Sequence, residues 1–294
     1  MRRATALRGG HAMIRTMLLC GVALGGLASL AMAETPVERG EYLVRGPMGC
    51  GNCHTPQGPD GPDMAKELAG GQLVIDDEMM KAYTANITPG GAIAGWSDAE
   101  LARAIREGIR PDGSLIGPPM PFPLYRKLSD TDVTAIVAFL RTLSPVENQP
   151  PKSQYNFPLP PAYGPPVGHV ADTPRGPTVE YGAYIAGPVA HCLECHTPMG
   201  PDGRFLYDTA LGQGGFEFPG PWGLSVSANI TSSEDGLAGY TDAQLATMIT
   251  EGVRPDGRHM LPPMPYPYLA KMTPDDLAAL ILYLRTIPPL PDAE

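Results

Sequence analysis

Apolar residues recur at helical spacing in four segments. Leu101, Ala104, Ile105 and Ile109 follow Ser97-Asp98-Ala99-Glu100, where a serine and a glutamate three residues on form a capping box. Leu245, Met248 and Ile249 follow Thr241, with Gln244 at the same offset. Val133, Ile136, Val137 and Leu140 line one face behind Ser129-Asp130-Thr131-Asp132. Thr273-Pro274 opens a fourth helix, with proline at its favoured first position. Shorter helices are expected through 38–44 and 180–185. Alternating strand patterns are scarce, so the expected class is all-α.

These segments come in pairs because the chain repeats itself. Cys50-Gly51-Asn52-Cys53-His54-Thr55-Pro56 returns 142 residues later as Cys192-Leu193-Glu194-Cys195-His196-Thr197-Pro198. Ala85-Asn86-Ile87-Thr88 returns at 143. Arg110-Pro111-Asp112-Gly113, Pro118-Pro119-Met120-Pro121 and Leu140-Arg141-Thr142 all return at 144. The order is collinear, which predicts two homologous domains, at 34–143 and 179–294. Between them, 144–178 holds ten prolines. Such a segment lacks the donors for a helix or ladder and favours extended backbone, so it reads as a semi-rigid strap along the domains.

The first 33 residues carry a different pattern. Arg2, Arg3, Arg8 and Arg15 precede an apolar run from Met17 to Met32 that ends in Ala31-Met32-Ala33. This predicts an export signal cleaved after Ala33, discarding Cys20. The whole chain has 294 residues, 21 basic and 31 acidic, for a net charge of −10. Removing those four arginines leaves 17 basic against 31 acidic residues, or −14. An acidic chain disfavours nucleic acid as a partner and suits a basic docking face on a protein. With 35 glycines and 35 prolines and no collagen period, short elements joined by stiff loops are expected.

The chemistry is concentrated in the two C-x-x-C-H motifs. That spacing is the attachment signature of c-type haem: two thiols bind the vinyl groups of one haem and the adjacent histidine ligates its iron. The rival readings are a redox C-x-x-C, which needs a thioredoxin-like context, and structural zinc, which needs a fourth ligand. Both motifs behind an export signal favour two covalent haem c groups, held by Cys50, Cys53 and His54 and by Cys192, Cys195 and His196. Met120 and Met264 occupy matched Pro-Pro-Met-Pro frames and are the expected sixth ligands, soft sulfur donors that raise the haem potential. Met79, Met80, Met199 and Met260 have no matched partner and are expected to fill core gaps.

The remaining candidates are weaker. His191 precedes Cys192 and is expected at the surface or behind the first ligands. His169 and His259 are expected in solvent, while Trp96 and Tyr240 align as core aromatics. Arg110 and Arg254 read as turn residues or propionate contacts. Asn86 and Asn229 read as loop-fixing side chains or propionate neighbours.

Taken together, the C-G-N-C-H and C-L-E-C-H motifs, A-N-I-T, W-S-D-A-E, P-P-M-P and the F-L-R-T-L ending resemble the haem domains of multihaem cytochrome c subunits of bacterial alcohol, gluconate and related dehydrogenases. The resemblance implies two tandem class I-like cytochrome c domains that relay electrons from a periplasmic or membrane-associated dehydrogenase to a cytochrome, oxidase or quinone-linked acceptor. It also implies an electron-transfer protein rather than an enzyme. Two haem domains replace the three common there, and no anchor helix is evident, so membrane association is expected through a partner only. The alternative is a dihaem peroxidase, which would need an open iron position in one domain.

Overall fold

Each half of the chain is built on two helices that cross at a glycine. The computed structural model describes residues 33–59 and 61–293, so the expected export signal lies outside the described residues except for Ala33. Helix α1 (Pro36–Arg45) starts at a capping box in which Thr35 and Glu38 satisfy each other's backbone amides. It crosses α5 (Asp130–Thr142), described below with its neighbours, at Gly40. A Cβ built there would lie 2.0 Å from the Ala135 carbonyl oxygen. Only glycine allows that approach.

Between these helices come α2 (Cys50–His54) and two small hairpins, β1 (Gln57–Gly58) with β2 (Gly61–Pro62) and β3 (Leu73–Asp76) with β4 (Met80–Tyr83). Then α3 (Asp98–Glu107) begins at the Ser97–Glu100 capping box, and α4 (Phe122–Tyr125) leads into α5 at its Ser129 cap.

The second repeat rebuilds the same order. After strand β5 (Gln154–Tyr155) come α6 (Val179–Tyr184), a π-turn over Ile185–Val189 and α7 (Cys192–Cys195). One hairpin, β6 (Glu217–Gly220) with β7 (Gly223–Val226), precedes α8 (Asp242–Glu251), α9 (Tyr266–Leu269) and α10 (Pro274–Leu284). Helix α6 crosses α10 at Gly182, where a Cβ would lie 1.9 Å from the Ala279 carbonyl oxygen. The molecule is mainly helical, as expected, but the hairpins went unread. They are short, and their sequences alternate poorly.

Matched arginines close each repeat. Arg141 holds the carbonyls of Ile93 and Trp96 and the carboxylate of Asp98. Arg285 does the same for Leu237, Tyr240 and Asp242. Trp96 and Tyr240 pack half-buried against the core, as the repeat predicted.

The proline-rich segment lies extended along the first repeat. β5 pairs with β4, and Tyr155 donates to the Pro118 carbonyl at 3.0 Å. Tyr163 donates to the Ile116 carbonyl at 2.9 Å and stacks on Phe122 with ring centroids 4.9 Å apart. Further along, the Val170 carbonyl accepts from the Asp130 amide, and His169 meets the Asp130 carboxylate at 2.6 Å.

The repeats contact each other through a reciprocal pair of tyrosines. Tyr42 donates to Asp276 at 2.6 Å and accepts from the Thr273 amide. Tyr184, its match 142 residues on, donates to Asp132 at 2.7 Å and accepts from the Ser129 amide. Each tyrosine of one repeat therefore reads the cap of the last helix in the other. Asp132 also receives the Arg39 guanidinium through two bonds, at 2.7 and 3.0 Å, in a buried ion pair.

Candidate functional site

Both motif helices are single turns entered through left-handed backbone. Gly49 precedes α2 at φ 59° and ψ 28°, and His191 precedes α7 at φ 41° and ψ 32°. Glycine adopts this conformation freely, whereas a histidine there costs about 1–2 kcal/mol. Beyond each motif, a buried threonine pins the returning loop. Thr55 Oγ1 accepts from the Leu68 amide at 3.1 Å, and Thr197 Oγ1 accepts from the Gly212 amide at 3.2 Å.

The two histidines are held alike. His54 Nδ1 donates to the Ala85 carbonyl and His196 Nδ1 donates to the Ala228 carbonyl, each at 2.7 Å. These carbonyls belong to the repeated Ala-Asn-Ile-Thr segment. Such a bond selects one tautomer, orients the ring and leaves Nε2 available as an electron-pair donor. Burial holds both imidazoles below the ordinary histidine pKa, in the neutral form that ligates metals.

The Ala-Asn-Ile-Thr segment is itself fixed by its asparagine. Asn86 accepts from the amide and hydroxyl of Thr88 and donates to the carbonyls of Val146 and Asn148. Asn229 accepts from Thr231 in the same way and donates to the Leu290 carbonyl. Of the two readings open for these asparagines, loop fixing is the one observed.

The four sulfurs form no disulfide. Burial pushes the Cys50, Cys192 and Cys195 thiols up to about 12, so they remain protonated near neutral pH. Among the described residues no group of three or more His, Cys, Asp or Glu side chains is gathered to hold a bare ion, which disfavours the zinc reading. The donor set instead suits a group bound at several points: two thiols and a histidine on one turn. The Tyr207 hydroxyl, buried close to Cys195 and Glu194, has no hydrogen-bond partner among the described residues. An orphaned polar group at that place fits a site that takes a further polar group.

The methionine loops match in their bonding. Arg110 N donates to the Ser114 carbonyl and Arg254 N to the Arg258 carbonyl, each at 2.9 Å. The amides of Ile116 and Met260 donate to the Gly108 and Gly252 carbonyls, each at 2.7 Å. The carbonyls of Met120 and Met264 accept from Phe122 and Tyr266, and both methionines lie half-buried against the core. The Pro118–Pro119 and Pro262–Pro263 peptides are both cis. Arg110 and Arg254 are thus turn residues.

Three expectations change. Met79 and Met199 are 53% and 45% exposed, so they fill no core gap; Met79 lies at the β3–β4 turn and Met199 in a single bridge to Phe205. His191 is not a surface residue, its side chain being 26% exposed. It is half-buried between the repeats, its Nε2 meeting the Met48 carbonyl at 3.3 Å and its ring edge-on to Tyr125 at 6.1 Å. His169 and His259 are exposed, as expected.

Both motifs face this contact between the repeats. A Cβ on Gly51 would lie 2.7 Å from the Tyr268 hydroxyl, so α2 packs on the second repeat. The Glu194 carboxyl acts on both Cys53 and Cys195, and burial pushes it up to about 8. The repeat predicted two sites. Nothing in the spacing predicted that they adjoin.

Residues 37–144 match the cytochrome c family model. The first repeat is a cytochrome c domain. A domain of this family carries covalently bound haem c. The chain is similar to the cytochrome subunit of fructose dehydrogenase from Gluconobacter japonicus, at 30% identity over 88% of this chain and 54% of that one. It is 28% identical to the cytochrome c subunit of quinone alcohol dehydrogenase from Gluconobacter oxydans, over 100% of this chain and 63% of the relative. A diheme c-type cytochrome of Cereibacter sphaeroides is 28% identical over 82% of both chains. The chain thus spans little more than half the length of the two dehydrogenase subunits.

Proposed function

We propose that the chain is a dihaem cytochrome c that relays single electrons from a dehydrogenase catalytic subunit towards the respiratory chain. The observation that carries this reading is the equivalence of the two sites: two C-x-x-C-H turns, each with its histidine Nδ1 on an alanine carbonyl at 2.7 Å. Haem c supplies an iron that shuttles between Fe(II) and Fe(III). Cys50 and Cys53, and Cys192 and Cys195, would anchor the group through thioethers. His54 and His196 would each offer it a neutral Nε2, their orientation fixed by the carbonyls behind them. Met120 and Met264 would each offer it a thioether sulfur, from proline-framed loops that limit movement.

The names of the relatives support a dehydrogenase as donor. A cytochrome, an oxidase or a quinone-linked protein is the acceptor. Export with cleavage after Ala33 would place the haems where attachment occurs, in the periplasm. Among the described residues no helix is long and apolar enough to cross a membrane. The peroxidase alternative gains no support, because it needs an unlike pair of sites and these two are held alike.

The test is a haem count and a ligand assay on the purified holoprotein. Two haems per chain are expected, both low-spin and unreactive towards carbon monoxide. Met120→Ala and Met264→Ala should each open one haem to carbon monoxide, lower its potential and remove its methionine–iron charge-transfer band. A variant that changes none of these would remove that methionine from the ligand set.

A further inference from the structure

His191 is the one non-glycine residue that enters a motif helix with left-handed backbone, and its match in the first repeat is Gly49. A bulky residue held at such a φ is strained, and strain of this kind persists only where the surroundings impose it. Here those surroundings belong to the other repeat. The imidazole spans from the residue next to Cys192 to the carbonyl of Met48, two residues before Cys50, while Tyr125 closes on its ring edge. Glu194 stands 3.8 Å from Nδ1, too far for a direct hydrogen bond. The main polar reach of His191 is therefore across the seam, onto the backbone that leads into the opposite motif.

The wider seam explains why one side chain at this point matters. Tyr42 and Tyr184 fix the repeats to each other at the caps of α10 and α5. Those bonds restrain the bodies at the helix caps and involve no residue of the motif turns. Met48 is only 2% exposed and sits in the core at the entry to α2. A bond to its carbonyl ties the α7 entry to a rigid point of the first repeat.

We propose that His191 is a positioning residue that holds the α7 turn against the α2 turn for electron exchange between the two haem sites. This rests on the two-haem reading above. Electron exchange depends steeply on the separation and orientation of its centres. A residue that sets the distance between the two motif turns therefore acts on the rate without touching either iron.

The experiment uses the full holoprotein with His191→Gly and His191→Asn. Glycine is what the first repeat carries at this position, so His191→Gly relieves the strain while removing the bridge. Asparagine tolerates left-handed backbone and keeps an amide donor. Three quantities are read: the unfolding midpoint, the Soret circular-dichroism couplet between the two haems, and the rate of electron redistribution between them after partial photoreduction by a flavin flash.

His191→Gly is expected to keep the midpoint and both haem spectra, shrink the couplet and slow redistribution several-fold. His191→Asn should recover part of both. An unchanged couplet and rate in His191→Gly would overturn the proposal, as would a lowered midpoint with the couplet intact, since that marks a purely structural residue. Tyr184→Phe serves as the comparison, expected to lower the midpoint more than His191→Gly does. A wild-type protein with fewer than two haems by pyridine haemochrome assay overturns the two-haem reading and this proposal together. Failure of the His191 variants alone leaves that reading standing.

Discussion

The two repeats share their helices, their histidine bonds and their methionine loops, yet among the described residues only the first has a segment laid over its methionine loop. Residues 144–178 cross its methionine loop, where Tyr155 and Tyr163 take the carbonyls of Pro118 and Ile116. At the matched place in the second repeat, Leu261 stands 46% exposed, and Leu224 and Val226 of β7 are 54% and 53% exposed. The asparagine bonds show where the repeats part. Asn86 and Asn229 hold the matched carbonyls of Val146 and Leu290, so the chain leaves both last helices along the same line. What is common to the repeats is therefore what the motif turn needs. What differs is the outer covering.

The sharpest test of the common part is the helix crossing. Gly40→Ala and Gly182→Ala would each drive a methyl group into a backbone carbonyl, at 2.0 and 1.9 Å. A carbonyl inside a helix cannot move aside as a side-chain tip can. Each substitution is expected to cost about 3 kcal/mol, the upper end of overpacking penalties, and the two costs should agree within about 1 kcal/mol. Denaturant unfolding of the two variants measures this. A large inequality would break the equivalence of the repeats at its base.

The covering can be tested by exchanging one residue. A Cβ on Gly117 would lie 2.2 Å from the Tyr155 ring, and the second repeat carries Leu261 at that position. Gly117→Leu should lift Tyr155 off the Pro118 carbonyl, cost about 1–2 kcal/mol and speed proteolysis within 144–178. Leu261→Gly removes an exposed side chain and should change stability by no more than about 0.5 kcal/mol. Equal responses would mean that the strap contributes nothing to the first repeat.

How much of this was legible beforehand follows from how local each feature is. Caps are local: Ser97, Ser129, Thr241 and Thr273 each accept the amide three residues on, where the sequence placed them. The motif turns and their asparagine loops were legible because both were repeated. The Tyr42–Asp276 and Tyr184–Asp132 bonds span long stretches of chain and have no local signature, so the packing of one repeat on the other was invisible. His191 was misplaced for the same reason: its neighbours Met48 and Tyr125 are remote in sequence. The hairpins β3–β4 and β6–β7 were missed because few residues define them.

The smallest expected effect concerns the clip at the far end of the strap. Asp130, at the start of α5, is held below its ordinary pKa because His169 hydrogen-bonds to it, with Arg106 beside it. A carboxyl whose folded pKa is depressed stabilises the protein above its unfolded value, near 3.8, and loses that contribution as pH falls through the folded value. Asp130 is 44% exposed, so water and salt screen the interaction and the effect is modest. The unfolding midpoint of wild type should exceed that of Asp130→Asn at about pH 5, and the margin should shrink below about pH 4. Added salt should narrow it at every pH. Pro274 stands at the matched place in the second repeat and carries no charge, so Pro274→Ala should leave the acid slope unaltered. A margin that persisted undiminished at pH 3 would show that the end of the strap is held by its backbone bond to Asp130, from the Val170 carbonyl, rather than by the ion pair.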